Sequence, residues 1–204
     1  MPSTLSRAEA VELARLITKV VEDDNGFIPD EAYIPVHRLV PWSAVEVALV
    51  NDAGSILLEH RKFDIWPATM SKKLGKMWNE IKGWYVPGGY IKPEQSFENA
   101  CREHLIKDGI MADFEFLGVA GVDRWMIGDH PFGTPISIVC ICKVVGGKVK
   151  YRNTKDGMWQ NQPSPEKFMW THPFPIPTEV PHHEEIQRIA FRWIAGHPEY
   201  FRRK

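Results

Sequence analysis

Cysteine, net charge and long apolar runs are all scarce in this chain of 204 residues. It has three cysteines, Cys101, Cys140 and Cys142, with no CxxC pair and no even-numbered framework. That argues against a disulfide scaffold. It reads as a reduced, cytoplasmic protein in which Cys140 and Cys142 pack as small apolar residues of a strand. Lys and Arg total 25 against 26 Asp and Glu, a formal charge of -1, so no global charge draws the chain to nucleic acid or to a membrane surface. The N-terminus lacks a basic stretch followed by an apolar run, so no signal peptide is expected. No segment has the roughly 20 apolar residues needed to span a bilayer. Trp (8) and Pro (16) are abundant for this size, which points to aromatic surfaces and long ordered loops. The length suits one sizeable domain, or one domain with a terminal extension.

Periodicity divides the chain. Ser6, with Glu9 three residues later, forms a capping-box pattern that starts a helix through Asp23, and Leu13, Ile17, Val20 and Val21 give it an apolar stripe. Asn25-Gly26 ends it, and a connection through Pro29, Pro35 and Pro41 follows. Residues 1–40 therefore read as a helical extension, and 41–204 as the main domain. From Ala44 the pattern has period two: Val45, Val47 and Leu49 alternate with Ala44, Glu46 and Ala48. Asn51-Asp52-Ala53-Gly54 then turns the chain into Ser55–Arg61, a hairpin signal. Residues 62–82 form a long insertion with Trp66, Trp78 and several lysines, and a loop of that length is more often functional than idle. Phe114–Arg124 and Ile136–Val145 read as strands. Gly146-Gly147 reads as a turn into Lys148–Tyr151, and Glu166–Trp170 as a further short strand. A helix over His182–Ala195, stopped by Gly196 and Pro198, closes the pattern. Strands on both sides of a central helix, with a second helix at the end, give an α+β sandwich.

The central helix carries the chemistry. From Trp84 to Ile110 the chain reads as an apolar strand, a Gly88-Gly89 turn, a short polar loop and a helix stopped by Gly109. Counted from Gly88, Glu94 stands six residues on, Arg102-Glu103 follow after seven more, and Gly109-Ile110 close the run. These fixed offsets resemble the Nudix box of the hydrolases that cleave a nucleoside diphosphate linked to another group. The resemblance covers roughly residues 44–195 and implies a Nudix-like α/β/α sandwich with a mixed sheet. It also implies a small-molecule nucleotide substrate and Mg²⁺ or Mn²⁺ as cofactor. Such an ion neutralises the diphosphate and can activate the attacking water. Carried over residue by residue, it makes Glu103 the principal metal ligand, with Gly88, Gly89 and Glu94 as further ligands and Arg102 beside Glu103 in the catalytic set. The run Pro87-Gly88-Gly89…Lys92-Pro93-Glu94 is also similar to the GDP-mannose mannosyl hydrolases, a sub-group that departs from the box and uses one metal with a loop base. This chain differs from that sub-group in having Lys107 where a Glu is kept, and no His in the matching position before Phe168.

The departures from the box are as informative as the match. The family pattern has a Glu pair where this chain has Ile106 and Lys107, and an apolar residue where it has His104. The loop after the glycines is also one residue short, because most members begin the motif at the second Gly. Asp108 lies roughly 140° around the helix from Glu103 and does not replace the pair, whereas Lys107 lies about 40° away. Glu before Lys at that spacing favours an ion pair, which here would place Lys107 against Glu103, its ammonium a partial surrogate for metal charge and a substrate-binding candidate beside Arg61, Trp66 and Trp78. The other reading of these residues is a relic box in which Glu94 and Arg102 pair to brace the loop.

Other candidates are weaker. Arg61 ends a strand where a guanidinium suits bidentate phosphate contact. Trp66 and Trp78 offer flat faces for a nucleobase, while Trp84 reads as core. His130 and His172 sit in proline-flanked loops, and either could serve as a general base near neutral pH. His130 is carried forward as the catalytic candidate. His182-His183-Glu184-Glu185 lacks the i, i+4 His pair of a metal helix and reads as a solvated helix start. The expectation is a hydrolase of a nucleoside diphosphate derivative, with nucleotide sugars as the narrower class. It would use no nucleic acid or membrane, and a homodimer is the assembly left to test. The alternative is a catalytically silent module of the same fold that binds a nucleotide or a partner protein.

Overall fold

Alternating and helical stripes in the sequence settle into two sheets and three α-helices in the computed structural model. It describes residues 6–22, 42–61, 83–125, 134–152, 158–163, 165, 167–171, 175–176, 178 and 181–201. The elements are α1 (Arg7–Glu22), β1 (Ser43–Val50), β2 (Leu57–Arg61), β3 (Gly83–Tyr85), β4 (Gly88–Tyr90), α2 (Phe97–Lys107), β5 (Ile110–Arg124), β6 (Ile136–Arg152), β7 (Trp159–Gln160), β8 (Phe168–Trp170) and α3 (Pro181–Gly196). A short 3₁₀ turn over Pro198–Tyr200 follows. Among the described residues no helix is long and apolar enough to cross a membrane.

The larger sheet runs in the order β4-β1-β6-β5, with β7 beside β6, and the smaller in the order β3-β2-β8. β1 and β6 pair in parallel and the other pairs are antiparallel, so the larger sheet is mixed. A parallel central pair must be covered on both faces, and period two accomplishes this. Val45, Val47 and Leu49 face α2, packing with Cys140, Cys142, Ala100, Cys101 and Leu105. Ala48 and Val50 face α3 with Val139, Ile141, Ile186 and Ala190. Each fully buried Val, Leu or Ile contributes about 1.5–3 kcal/mol, so the two clusters fix β1 and β6 at the centre of the sandwich. Cys140 and Cys142 are free and buried as expected, and the neighbouring Cys101 thiol together with burial holds the Cys140 thiol well above its ordinary range.

Three sequence expectations change. The hairpin turn after β1 forms, with the Asn51 carboxamide oxygen accepting from Ala53 N and Ser55 N at 3.0 Å each. The strands it joins nevertheless diverge into different sheets, linked only by the Val50–Ile56 bridge. Gly88-Gly89 is not a turn but part of an edge strand, paired with Glu46 and Val45. The backbone passes too close to its neighbours for any side chain: a Cβ on Gly88 would lie 2.2 Å from the Val45 carbonyl oxygen, and one on Gly89 2.4 Å from the His104 ring. Gly146-Gly147 does not start a new strand either. Both residues lie within β6, where the register against β5 slips between Ala112 and Phe114, so the pair forms a bulge.

At the N-terminus the capping box forms: Ser6 N donates to the Glu9 carboxylate at 2.8 Å and Glu9 N to Ser6 Oγ at 3.3 Å. Leu13, part of the expected stripe, is exposed. The side chains of Ile17, Val20 and Val21, and the connection through Pro41, lie outside the described residues.

Candidate functional site

α2 is positioned by its ends. Ser96 caps the N-terminus, accepting from Asn99 N at 3.2 Å. Ala100, Cys101, His104 and Leu105 form the buried stripe. Gly109, at φ +85°, stops the helix in the left-handed conformation that suits glycine. His104 stands where the box has an apolar residue and still packs inward. Its Nε2 lies 2.9 Å from the Tyr90 carbonyl oxygen, and its ring fills the space that Gly89 leaves. Burial holds the imidazole below its ordinary range. The opposite face of α2 presents Glu103, Ile106 and Lys107, with Ile106 and Lys107 exposed.

Glu103 is held by the preceding loop. Lys92 Nζ donates to Oε1 at 2.7 Å and Gln95 Nε2 to Oε2 at 2.8 Å, while Lys92 N donates to Gln95 Oε1 at 3.1 Å. The Lys92 hydrogen bond, with the Gln95 bond adding to it, holds the Glu103 carboxyl below its ordinary range. The partner of Glu103 is therefore Lys92 and not Lys107: the loop lays Lys92 across the carboxylate from outside the helix, where i, i+4 spacing plays no part. Arg102 does not brace Glu94 either. It pairs with Glu98 at 3.2 Å, and its guanidinium lies 4.5 Å from the centre of the Phe114 ring. Glu94 is exposed in the turn from Lys92 to Gln95.

Mg²⁺ or Mn²⁺ would find few donors here. Mg²⁺ demands near-octahedral oxygen coordination. Glu103 is the only carboxylate on its face of α2, and both its oxygens are engaged. Ile106 and Lys107 replace the acidic pair. Among the described residues, no three His, Cys, Asp or Glu lie close enough together to hold an ion. These residues do not fit a resident divalent ion. Of the remaining candidates, Arg61 ends β2 opposite Gly83, but its side chain is outside the described set. Trp66, Trp78, His130 and His172 lie outside the described residues. Trp84 packs half-buried against the α3-side core with its ring 5.0 Å from His60.

On the other face of the sheet lies a polar cluster that the sequence reading missed. Glu46, on β1 opposite Gly88, is buried. Ser137 Oγ donates to Glu46 Oε1 at 2.8 Å, accepts from Trp125 Nε1 at 3.2 Å and lies 3.0 Å from His182 Nε2. His182 Nδ1 lies 3.1 Å from Asp123 Oδ2. The His182 ring packs against Trp125 with centroids 3.9 Å apart, and His183 packs against Trp125 and Tyr85 at 5.3 and 5.6 Å. Both histidines are therefore buried at the start of α3, not solvated. The sequence signal was present: a Glu inside an otherwise apolar alternation, and an apolar helix face whose period of 3.6 runs back from Ile186 to His182 and His183.

No protein-family model matches the chain, and no curated protein does. Solved structures match in fold. A mutT/nudix family protein from Listeria innocua superposes with a TM-score of 0.53 at 17% identity, over 79% of this chain and 99% of that one. The MutT protein from Methanosarcina mazei Go1 gives 0.48 at 15% identity, over 77% and 96%. A UDP-X diphosphatase gives 0.47 at 13% identity, over 96% and 74%. With its mixed sheet between α2 and α3 and its box loop leading into α2, the chain has the Nudix hydrolase fold.

Proposed function

We propose that this Nudix-fold chain binds a nucleoside diphosphate derivative at the corner between β4 and α2, with nucleotide sugars as the narrower class. The Lys92 ammonium, and not a resident metal, meets the diphosphate. The observation that carries this reading is the Lys92–Glu103–Gln95 constellation, which occupies the position where the box pattern places its metal-binding Glu. The Lys92–Glu103 pair is open to solvent, with side-chain exposures of 65% and 43%. Such pairs are worth about 0–1 kcal/mol, so phosphate oxygens can recruit the ammonium at little cost. A second reading, hydrolysis of the same class of compound as its Mg²⁺ complex, is favoured by the state of Glu103, a carboxylate held ionised at an open site.

Calorimetric titration with GDP-mannose and UDP-glucose, with Mn²⁺ or with a chelator, separates the two readings. Binding that persists in chelator and weakens about tenfold or more in Lys92→Ala is expected, since hydrogen bonds to charged groups contribute about 1.5–3 kcal/mol. Binding and product release that appear only with Mn²⁺, and vanish in Glu103→Gln, would establish hydrolysis instead.

A further inference from the structure

The turn after β1, the end of β6, the segment after β7 and the end of β8 line a cleft of about 490 Å³. Small-molecule sites occupy roughly 300–1,000 Å³. The cleft is separate from the corner between β4 and α2. Gly89 stands opposite Val45, and Asn51 in the cleft wall follows Val45 by six positions along the strand. At strand rise that is about 20 Å.

Several polar groups in the wall keep hydrogen-bonding capacity unspent. The Asn51 carboxamide oxygen accepts from Ala53 N and Ser55 N at 3.0 Å each, which fixes the side chain and leaves its NH₂ group over. Tyr151 is only 2% exposed, and its hydroxyl accepts from Trp170 Nε1 at 3.0 Å, so the phenolic hydrogen plays no part in that bond. Burial holds the phenol above its ordinary range, which keeps that hydrogen in place. Asn161 and Gln162 are exposed, and their carboxamides have no hydrogen-bond partner among the described residues. Asp52 lies 3.8 Å from Lys143 Nζ and adds a carboxylate to the wall.

These groups select a ligand by its chemistry. Among the described residues no Lys, Arg or His lines the cleft, so a phosphate would meet the Asp52 carboxylate without a cation to offset it. A purely apolar ligand would strip water from the amides and the phenol and put nothing in its place. A hydroxyl group does replace that water, because it donates one hydrogen bond and accepts others. Carboxamides take either role, Asp52 accepts and the Tyr151 hydroxyl donates. Trp170 has spent its N–H on Tyr151, so its indole offers ring surface on which the C–H face of a sugar ring can pack. We infer that this cleft binds an uncharged saccharide, with its ring against Trp170 and its hydroxyls shared among Asn51, Asp52, Tyr151, Asn161 and Gln162.

The inference does not rest on the nucleotide reading, and its test uses the full chain without nucleotide or metal. Saturation-transfer NMR titrations with D-glucose, D-mannose, D-galactose and D-ribose are expected to show saturable binding of at least one sugar. Tyr151→Phe keeps the ring and removes the hydroxyl. It should weaken that binding about fivefold, the size of one hydrogen bond. Asn161→Ala and Gln162→Ala alter exposed side chains outside the core, so they keep the test open if Tyr151→Phe fails to fold, and each should weaken binding by a similar factor. Absence of saturable binding by all four sugars overturns the inference. So does sugar binding that none of the three variants weakens, or a cleft that takes up adenosine or inorganic phosphate in preference to the sugars.

Discussion

Glu94, with φ of 63°, is the only non-glycine residue with positive φ among those described. It follows Pro93 in a turn closed by Gln95 N donating to the Lys92 carbonyl at 3.2 Å, and the third position of such a turn favours Gly or Asn. The resemblance to the Nudix box implied a ligand's role for Glu94, but the residue that reaches Glu103 is Gln95, one position on. Glu94→Gly is therefore expected to stabilise the protein by roughly 0.5–1 kcal/mol in urea unfolding, with nucleotide affinity unchanged. A loss of affinity in this variant would return Glu94 to the site. His104 makes the complementary case. Its folded-state imidazole is held below the ordinary range by burial, with the Tyr90 carbonyl acting in the other direction. The neutral ring is the folded form, so its contribution is present above about pH 6.5 and is lost as pH falls below that. The acid-side fall in stability should be shallower in His104→Leu than in the parent, measured as unfolding midpoints from neutral to mildly acidic pH. Neither feature was legible in the sequence, because a turn's φ and a ring's burial depend on which backbone lies beside them.

α2 shows how much an element reveals of itself. Its presence after the polar loop and its stop at Gly109 were readable, because such signals are local. Its attachment was not. Lys167, almost 60 positions on, reaches the C-terminal end of the helix, where Nζ donates to the Asp108 carbonyl at 2.9 Å and pairs with buried Glu59 at 3.3 Å. It thus joins α2 to β2 and β8, a link that no local pattern announces. Lys167→Met keeps the stem but removes the ammonium that faces Glu59. Breaking one side of a buried pair costs about 3–5 kcal/mol, so a fall in unfolding free energy of that order is expected. A change below about 1 kcal/mol would mean that the pair carries no weight in joining α2 to the smaller sheet.

Across the whole molecule, the fold was legible and the chemistry only partly so, for one physical reason. A sandwich follows from patterns that many residues repeat, and β1, α2, β6 and α3 were each readable as elements. A site depends on single positions: Lys92 outside the helix captures Glu103, while Lys107 on the helix does not. Fold and chemistry can be separated in this way because function resides in the site. Ile106 and Lys107 already project on the exposed face of α2, three and four residues beyond Glu103, so restoring the acidic pair requires no repacking of the core. The triple variant Lys92→Ala, Ile106→Glu, Lys107→Glu is therefore expected to keep the parent's circular dichroism and to gain Mn²⁺ binding in calorimetry, with affinity at least tenfold above the parent's. If it folds and binds Mn²⁺ no better, the three side chains are not what excludes the ion. The cause then lies in the backbone of the shortened loop, which would hold the Gly88–Gln95 segment out of reach of a metal whatever carboxylates α2 presents.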